Sequence, residues 1–471
     1  MKIGALLFAL VFTFCPVVLG GVISGIDERY EKASIMMADQ IWQHAELGYQ
    51  EAKSSRLLQE FLVSENFELQ SGVDDMNTAF VATSGSGFPT IAILAEFDAL
   101  PGLSQEALPY REARELGAPG HACGHHLFGS ASVTAGALLA RWLKKSGFDG
   151  TIKVIGTPAE EGGSGKVYLA RAGVFDDVDT VLHWHPSDVN SAAPYSTTAN
   201  KSGRFTFTGK AAHAASAPDQ GRSALDGVEA MNYMVNLMRE HIPQESRIHY
   251  VITKGGDAPN IVPETAQVSY YVRHPDKNRV IELFDKVVNA ARAAAMGTET
   301  EVKFEVMHGN YPVLPNYALS QVVDKNFRAL GGIEYDLEEV KFAKQISETF
   351  FGDKNLLGSQ EKIQPFTYRQ SMGSTDVGDV SWLVPTAGFS AATWVPGTPG
   401  HSWQAVAAGG MSIGHKGMLH AIQLLFNTGK ELVKSKELIG KAKQELIQKR
   451  GIDFEYSALL GDRSPPLDYR Q

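Results

Sequence analysis

The stretch PTIAILAEFDALPG, residues 89–102, sets a short aliphatic run directly before two acids, Glu96 and Asp98. Pro89 to Ala95 is short and, from Ile91 on, wholly apolar, the pattern of a buried strand. Two later stretches repeat the arrangement. Thr151 to Ile155 passes through Gly156-Thr157-Pro158 to the pair Glu160-Glu161, with Gly162 and Gly163 behind it, and Thr180-Val181-Leu182 runs into His183-Trp184-His185-Pro186. Between the first two, Leu127 to Lys145 has helical spacing with many small residues, as a helix packed tightly on a sheet requires. Strands alternating with helices predict an α/β fold with a mostly parallel sheet flanked by helices, and such sheets bind ligands beyond the carboxyl ends of their strands. The three polar clusters should then share one rim.

The rhythm changes between residues 203 and 310. Arg204 to Thr208 alternates as a strand, Ser223 to His241 is helical, Ser246 to Thr253 and Ala266 to Arg273 are strands, Lys277 to Ala295 is helical and Glu301 to Met307 is a strand. That order, βαββαβ, is the ferredoxin-like split unit. It reads as a smaller domain inserted into the larger one through hinges at Ser196 to Gly203 and Asn310 to Asn316. Beyond it, helices are expected at Tyr317 to Leu330, Gly414 to Val433 and Leu438 to Gln448, and the tail from Asp462 to Gln471, with Pro465-Pro466, is expected to be flexible.

With 44% hydrophobic and 20% charged residues over 471 positions, the chain can bury a large core, and its length suggests more than one domain. Its 43 basic and 53 acidic residues leave a net charge of -10 spread along the chain, which gives no electrostatic footprint for nucleic acid. The opening MKIGALLFALVFTFCPVVLGG has Lys2, an apolar run from Ala5 to Leu19, and Val18 and Gly20 at the -3 and -1 positions of a cleavage site. A spanning helix needs roughly 20 apolar residues. This run is shorter and is broken by Pro16, so it reads as a secretory signal, leaving a secreted, extracellular chain with no membrane attachment after cleavage. Cys15 falls in that leader, which leaves Cys123 as the one thiol in a compartment where thiols pair or oxidise.

That thiol lies in GHACGHHLFGSA, residues 120–131, where histidines at 121, 125 and 126 and glycines at 120 and 124 argue against an apolar pocket. Imidazole, thiolate and carboxylate are the ligand set of zinc and its neighbours, and Cys123-Gly124-His125 on a glycine hinge can place both side chains on one ion or on two adjacent ions. Taken alone, this tripeptide also suits a structural loop, Glu160-Glu161 a solvated helix start, His183 a satisfied core histidine, and His401 in PGTPGHSW a loop position. Joint placement at strand ends is the stronger signal, because metal hydrolysis needs one carboxylate to bind metal and another to take a proton from the attacking water.

The motifs AEFDALPG, HACGHH, TPAEEGG, HWHP, GKAAHAA, GGDAPNIVPE, GSTDVGDVSW and GHSWQ, in this order and spacing, resemble the two-metal aminoacylase and carboxypeptidase family of amidohydrolases over about residues 30–430. The HACGHH and STDVGDVSW forms look most like its branch of p-aminobenzoyl-glutamate hydrolases and related dipeptidases. The resemblance implies a metallo-exopeptidase-like catalytic domain at 21-200 and 316-471, after a signal peptide at 1-20, with a lid or dimerisation domain at 201-315. It implies two divalent ions, zinc or manganese first, with cobalt or nickel also compatible. Cys123 falls at the bridging thiolate, and His125, Glu161, His183 and His401 at the other ligand positions. Glu160 matches the general base, and Asp98 the carboxylate that orients a ligand. At HWHP the family pattern favours His183 over His185, and His126 replaces an aspartate of other branches. His213 in TGKAAHAASAP matches a histidine that reaches an active site, often the partner subunit's, to stabilise the oxyanion, and Asn260 in PNIVP matches a substrate-carboxylate contact. Arg273 in YYVRHPD suits a substrate carboxylate, although a strand-end arginine is more often solvated or ion-paired.

The implied activity is hydrolysis of the amide bond of small dipeptides or N-acyl and N-aroyl amino acids with a free C-terminal carboxylate. Water held between the metals attacks, Glu160 moves the proton, and lid closure brings in His213. The implied assembly is a homodimer or higher homo-oligomer through the lid. Two rivals are a thiol hydrolase, with Cys123 as nucleophile and His125 or His126 as base, and a non-catalytic binding relative. The first leaves Glu160, Glu161 and His401 unexplained, and the intact ligand set argues against the second. Asn200-Lys201-Ser202 is an N-glycosylation acceptor sequence at the hinge.

Overall fold

A computed structural model describes residues 26–470, so the expected leader at 1-20 lies outside the described residues. The larger domain begins with α1 (Glu28–His44), α2 (Ala52–Ser64), β1 (Glu68–Val73), β2 (Met76–Ser86), β3 (Thr90–Ala95), α3 (His125–Ser146), β4 (Gly150–Gly156), α4 (Gly165–Arg171) and β5 (Thr180–Ser187). A two-residue β6 (Tyr195–Ser196) precedes the inserted unit: β7 (Ala199–Thr208), α5 (Ala224–Met238), β8 (Arg247–Lys254), β9 (Thr265–His274), α6 (Lys277–Gly297) and β10 (Glu301–Asn310). The larger domain then resumes with α7 (Tyr317–Leu330), α8 (Leu337–Ser347), β11 (Arg369–Gln370), α9 (Val377–Leu383), β12 (Thr386–Ala392), α10 (Trp403–Gly409), α11 (Ser412–Lys434) and α12 (Lys436–Arg450).

The main sheet has the order β1-β2-β4-β3-β5-β12. Strands β4, β3, β5 and β12 run parallel, and the β1-β2 hairpin joins them antiparallel through β2 and β4. The uninterrupted aliphatic run of β3 follows from burial on both faces. Ile91 and Ile93 pack with Phe128, Val133 and Leu139 of α3, while Ala92 and Leu94 pack with Val167 of α4 and Val377 of α9. Small residues let α3 lie close to the sheet, since a Cβ at Gly136 would collide with Val154. Strand β5 is longer than the three residues expected. Trp184 is buried against Phe128 and Phe389, which carries the strand past both His183 and His185 to Ser187.

The inserted unit has the βαββαβ order and an antiparallel sheet, β10-β7-β9-β8, with its own core of Phe205, Phe207, Val228, Tyr270, Val272 and Phe284. Two expectations fail here. Asn200 is not available to a glycan: it is 1% exposed and lies in β7 between Asn310 of β10 and Arg273 of β9. Nor is 462–470 a loose tail. Arg171 donates to the carbonyls of Gly461 and Arg463, Gln50 donates to that of Leu467, and Arg463 donates to Val306 O in β10. Side chains of the folded body satisfy its backbone, which holds it in place.

Candidate metal and active site

Gly124 caps α3 in the left-handed conformation (φ 78°), where a side chain would press on the Pro186 ring at 2.5 Å. This turn sends the three histidines of GHACGHH in different directions. His121 Nε2 donates to Ile41 O and His126 Nε2 to Gly409 O, each at 3.0 Å, so these rings fasten the turn to its surroundings. Burial holds the His121 imidazolium down to about 3 and that of His126 well below its usual value. His126 is therefore engaged elsewhere and is no base for a Cys123 nucleophile.

His125 faces the carboxyl end of the sheet. Its Nδ1 donates to Asp98 Oδ1 at 2.9 Å, and Asp98 Oδ2 accepts the Glu161 backbone N–H at 2.9 Å. His185 Nε2 lies 3.4 Å from Cys123 Sγ, with Nδ1 turned to Pro186 O at 2.7 Å. His401, in the left-handed region at φ 57°, donates its N–H to Ala122 O, and its Nε2 lies 3.1 Å from Glu161 Oε1. Among the described residues, the donor atoms of Cys123, His125 and His185 lie within 4.8 Å of one another, and so do those of Cys123, Glu161 and His401. Cys123 belongs to both groups. Glu160 joins Glu96 and His125 in a third.

The geometry does not bring the expected ligand His183 to these groups. That residue shares a face of β5 with His185 but lies two residues back from the rim, where its ring sits against Gly388 of β12 and joins none of these groups. Burial, with the charge of Lys166 nearby, holds its imidazolium down to about 3.

These residues fit a pair of cations. Buried His125 Nε2, Glu161 Oε1 and Glu96 Oε2 make no well-aligned hydrogen bond, although His125 Nε2 lies 3.1 Å from Glu96 Oε2 and His401 Nε2 3.1 Å from Glu161 Oε1. Buried polar atoms normally find partners, so ligand atoms left open within these groups mark places for ions. Of the three candidate imidazoles, His125 and His185 have the other nitrogen held by an oxygen, which selects the nitrogen left for a metal. The electrostatics agree. Burial, then Glu96, Glu161 and Asp376, pushes the Glu160 carboxyl well above the usual carboxylate range, and burial with Glu161 pushes the Cys123 thiol well up. Added positive charge reverses both shifts.

Sequence reasoning missed the buried network behind this centre. Lys166 Nζ lies 2.7 Å from Glu96 Oε1 and 2.7 Å from Asp376 Oδ1, and its backbone N–H donates to Asp376 Oδ2. Burial opposes the ammonium, but Asp376 and Glu96 outweigh it and raise its pKa. Asp379, one helical turn on, accepts from Tyr311 N–H and Tyr456 Oη. The signal was present: both aspartates stand in GSTDVGDVSW, and Glu96 is two residues from Asp98.

Of the residues singled out in the inserted domain, Arg273 reaches the cavity of about 540 Å³ onto which Glu160, Glu161 and His401 open. His213 and Asn260 do not. His213 is exposed, its Nδ1 accepting from the Ala215 and Ser216 N–H groups, and Asn260 is exposed with its carbonyl accepting from Ala214.

Known proteins resemble this chain along most of its length. The M20 peptidase dimerisation domain matches residues 195–299. One of the subunits of p-aminobenzoyl-glutamate hydrolase from Escherichia coli (strain K12) is 39% identical over 438 residues, 87% of this chain and 91% of that protein. The Xaa-Arg dipeptidase of Mus musculus is 31% identical over 380 residues, 78% of this chain and 83% of its own length. A Bacillus subtilis dinuclear metal-binding peptidase of the M20 family has the same fold, with a TM-score of 0.59 at 17% identity over 87% of this chain and 99% of that one.

Proposed function

We propose a reaction from one premise: the chain belongs to the M20 peptidase family. It is a metal-dependent hydrolase of amide bonds in small dipeptides or N-acyl and N-aroyl amino acids with a free carboxylate. The observation that carries the assignment of roles is the membership of Cys123 in two ligand groups, with Glu160 beside them.

In this reading Cys123, His125, His185, Glu161 and His401 hold two divalent cations, zinc or manganese by ligand type. Such ions supply Lewis acidity, for a water that attacks near neutral pH and for the scissile carbonyl. Asp98 and the Pro186 carbonyl fix the rings of His125 and His185 through Nδ1. Glu160, which lines the cavity, takes a proton from the attacking water and delivers it to the leaving nitrogen.

The assembly in this reading is a homodimer through the lid. Strand β8 is an edge of its sheet and exposes Tyr250, Val251 and Ile252, beside exposed Tyr233 and Leu237 on α5. Such an edge and patch suit a second copy. That copy would carry its His213 and Asn260 to this cavity, His213 to stabilise the oxyanion and Asn260 to hold a carboxylate. Export after removal of the leader at 1–20 completes the reading, supported by the make-up of that leader.

The test is metal analysis of the purified protein followed by a screen of dipeptides and N-acyl amino acids, before and after chelation. Two ions per chain, with activity lost on chelation and restored by metal, is the expected outcome. Turnover by metal-free protein would refute it.

A further inference from the structure

Glu161 stands in the loop TPAEEGGS, residues 157–164, whose backbone is bent against its own side chains. Ala159 (φ 56°) and Ser164 (φ 60°) both take the left-handed conformation, which a side chain disfavours, and Gly162 lies in the same region at φ 102°. Such a loop keeps its shape only where its surroundings impose it. Four tethers come from buried groups of both domains. Glu51 Oε1 accepts the Ala159 N–H at 2.8 Å, and Asp98 Oδ2 accepts the Glu161 N–H at 2.9 Å. Tyr49 Oη donates to Gly163 O at 2.7 Å, and Ser164 Oγ meets His308 Nδ1 of β10 at 2.5 Å.

The Glu161 carbonyl is met instead by segment 462–470, which returns over the loop. Tyr469 Oη donates to Glu161 O at 3.2 Å, and Arg470 Nη2 donates to the same oxygen. The segment is itself anchored. Arg171 donates to the carbonyls of Gly461 and Arg463, Gln50 donates to Leu467 O at 2.8 Å, and the Tyr469 ring packs edge-on to Tyr49 with centroids 5.7 Å apart.

The two backbone groups of Glu161 thus answer to different neighbours. Asp98 joins its N–H to His125 Nδ1, whereas Tyr469 and Arg470, among the described residues, hydrogen-bond within the centre to Glu161 alone. The Glu161 carboxylate belongs to the group with Cys123 and His401 and is absent from the group of Cys123, His125 and His185. A shift of this one peptide would disturb the first group and spare the second.

We propose, resting on the reading that these groups hold two cations, that Tyr469 and Arg470 are positioning residues for Glu161: by fixing its carbonyl they aim its carboxylate at the ion shared with Cys123 and His401. Segment 462–470 is thereby a working part of one half of the metal centre. No sequence motif marks it, and the grip spans 308 positions of the chain.

The test is metal binding by the full chain. Two dissociation constants for cobalt(II) are measured by competition with a chelator on the native protein, on Tyr469→Phe/Arg470→Ala, and on Glu161→Gln, which identifies the constant that belongs to the Glu161 group. The double variant should raise that same constant roughly 10 to 100-fold, as loss of a group that orients a ligand does, and leave the other unchanged. Arg470→Lys with Tyr469 intact keeps a donor for the carbonyl and should restore most of the affinity. Tyr469→Phe alone keeps the ring on Tyr49 and should show the same selective rise on a smaller scale, should the double variant fold poorly. Neither constant raised, or both raised alike, overturns the proposal and leaves the segment as a cover over the site. Fewer than two ions on the native chain overturns the proposal together with the reading it rests on. Selective weakening in a protein that turns over no amide upholds the proposal and refutes the hydrolase reading. Amide turnover with two ions and no selective weakening does the reverse.

Discussion

The sulfur of Cys123 lies 3.4 Å from Nε2 of His185, the second histidine of HWHP. His183 points from the same face of β5 but one pleat deeper, against Gly388. A strand advances about 6.6 Å over two residues, enough to separate a ring at the rim from a ring in the core.

His185→Ala should therefore lose bound metal and activity together, whereas His183→Ala should keep its metal and lose stability. Metal content per folded chain decides the matter. A full complement in His185→Ala with depletion in His183→Ala would return the ligand role to His183.

Glu160→Gln keeps the size of the side chain and removes its capacity to accept a proton. Metal content should be unchanged, with kcat reduced roughly 10² to 10⁴-fold. Near-native turnover in this variant would transfer the proton to another group.

His213 stands exposed and outside the cavity of its own chain, so two inactive variants should complement each other. In a mixed dimer of His213→Ala and Glu160→Gln, one site has an intact Glu160 and receives the partner's His213. Random reassociation should then recover about a quarter of native activity, since half of the dimers are mixed and each has one working site of two. No recovery, with mixed dimers shown to form, would place His213 in its own chain's site.

Lys166 is fully buried between Glu96 and Asp376, and removing one partner of such a cluster leaves uncompensated charge. Lys166→Met should lose about 3–5 kcal/mol of stability in denaturant unfolding. A loss well under 1 kcal/mol would mean that the two carboxylates are satisfied without the ammonium.

His420, on α11, packs edge-on to Phe327 at 5.4 Å and belongs to none of the candidate ligand groups. Burial, partly offset by the Gly331 carbonyl, lowers its pKa from 6.5 to about 4. Between these values the unfolded chain binds more protons than the folded one, so stability falls with falling pH. The contribution is complete above pH 6.5, declines toward pH 4 and is flat below, with a size of roughly 3 kcal/mol. His420→Phe should flatten the pH dependence of stability by that amount relative to the native chain. Parallel curves for the two proteins would show that the ring titrates normally.

Much of the fold was legible in the sequence for a physical reason. Strand β3, helix α3 and the βαββαβ insertion each carry a periodicity dictated by which faces are buried, and a face is a local property of the chain. Strand β12, TAGFSAA, escaped because its small residues answer to a neighbour: a side chain at Gly388 would collide with the His183 ring across the sheet. The buried Lys166 escaped likewise, since nothing beside it in the chain announces Glu96 or Asp376.

By itself, then, the sequence determined the kinds of donor available, their delivery to strand ends, and the insertion of a second domain. Only the tertiary structure decided which donors meet. It set His185, and not His183, beside Cys123, turned His121 and His126 to structural duty, brought Glu96, Lys166 and Asp376 together and carried Tyr469 and Arg470 into the cavity. Periodicity along a chain reports burial, whereas a site depends on distances between residues hundreds of positions apart, and those distances exist only once the layers have packed.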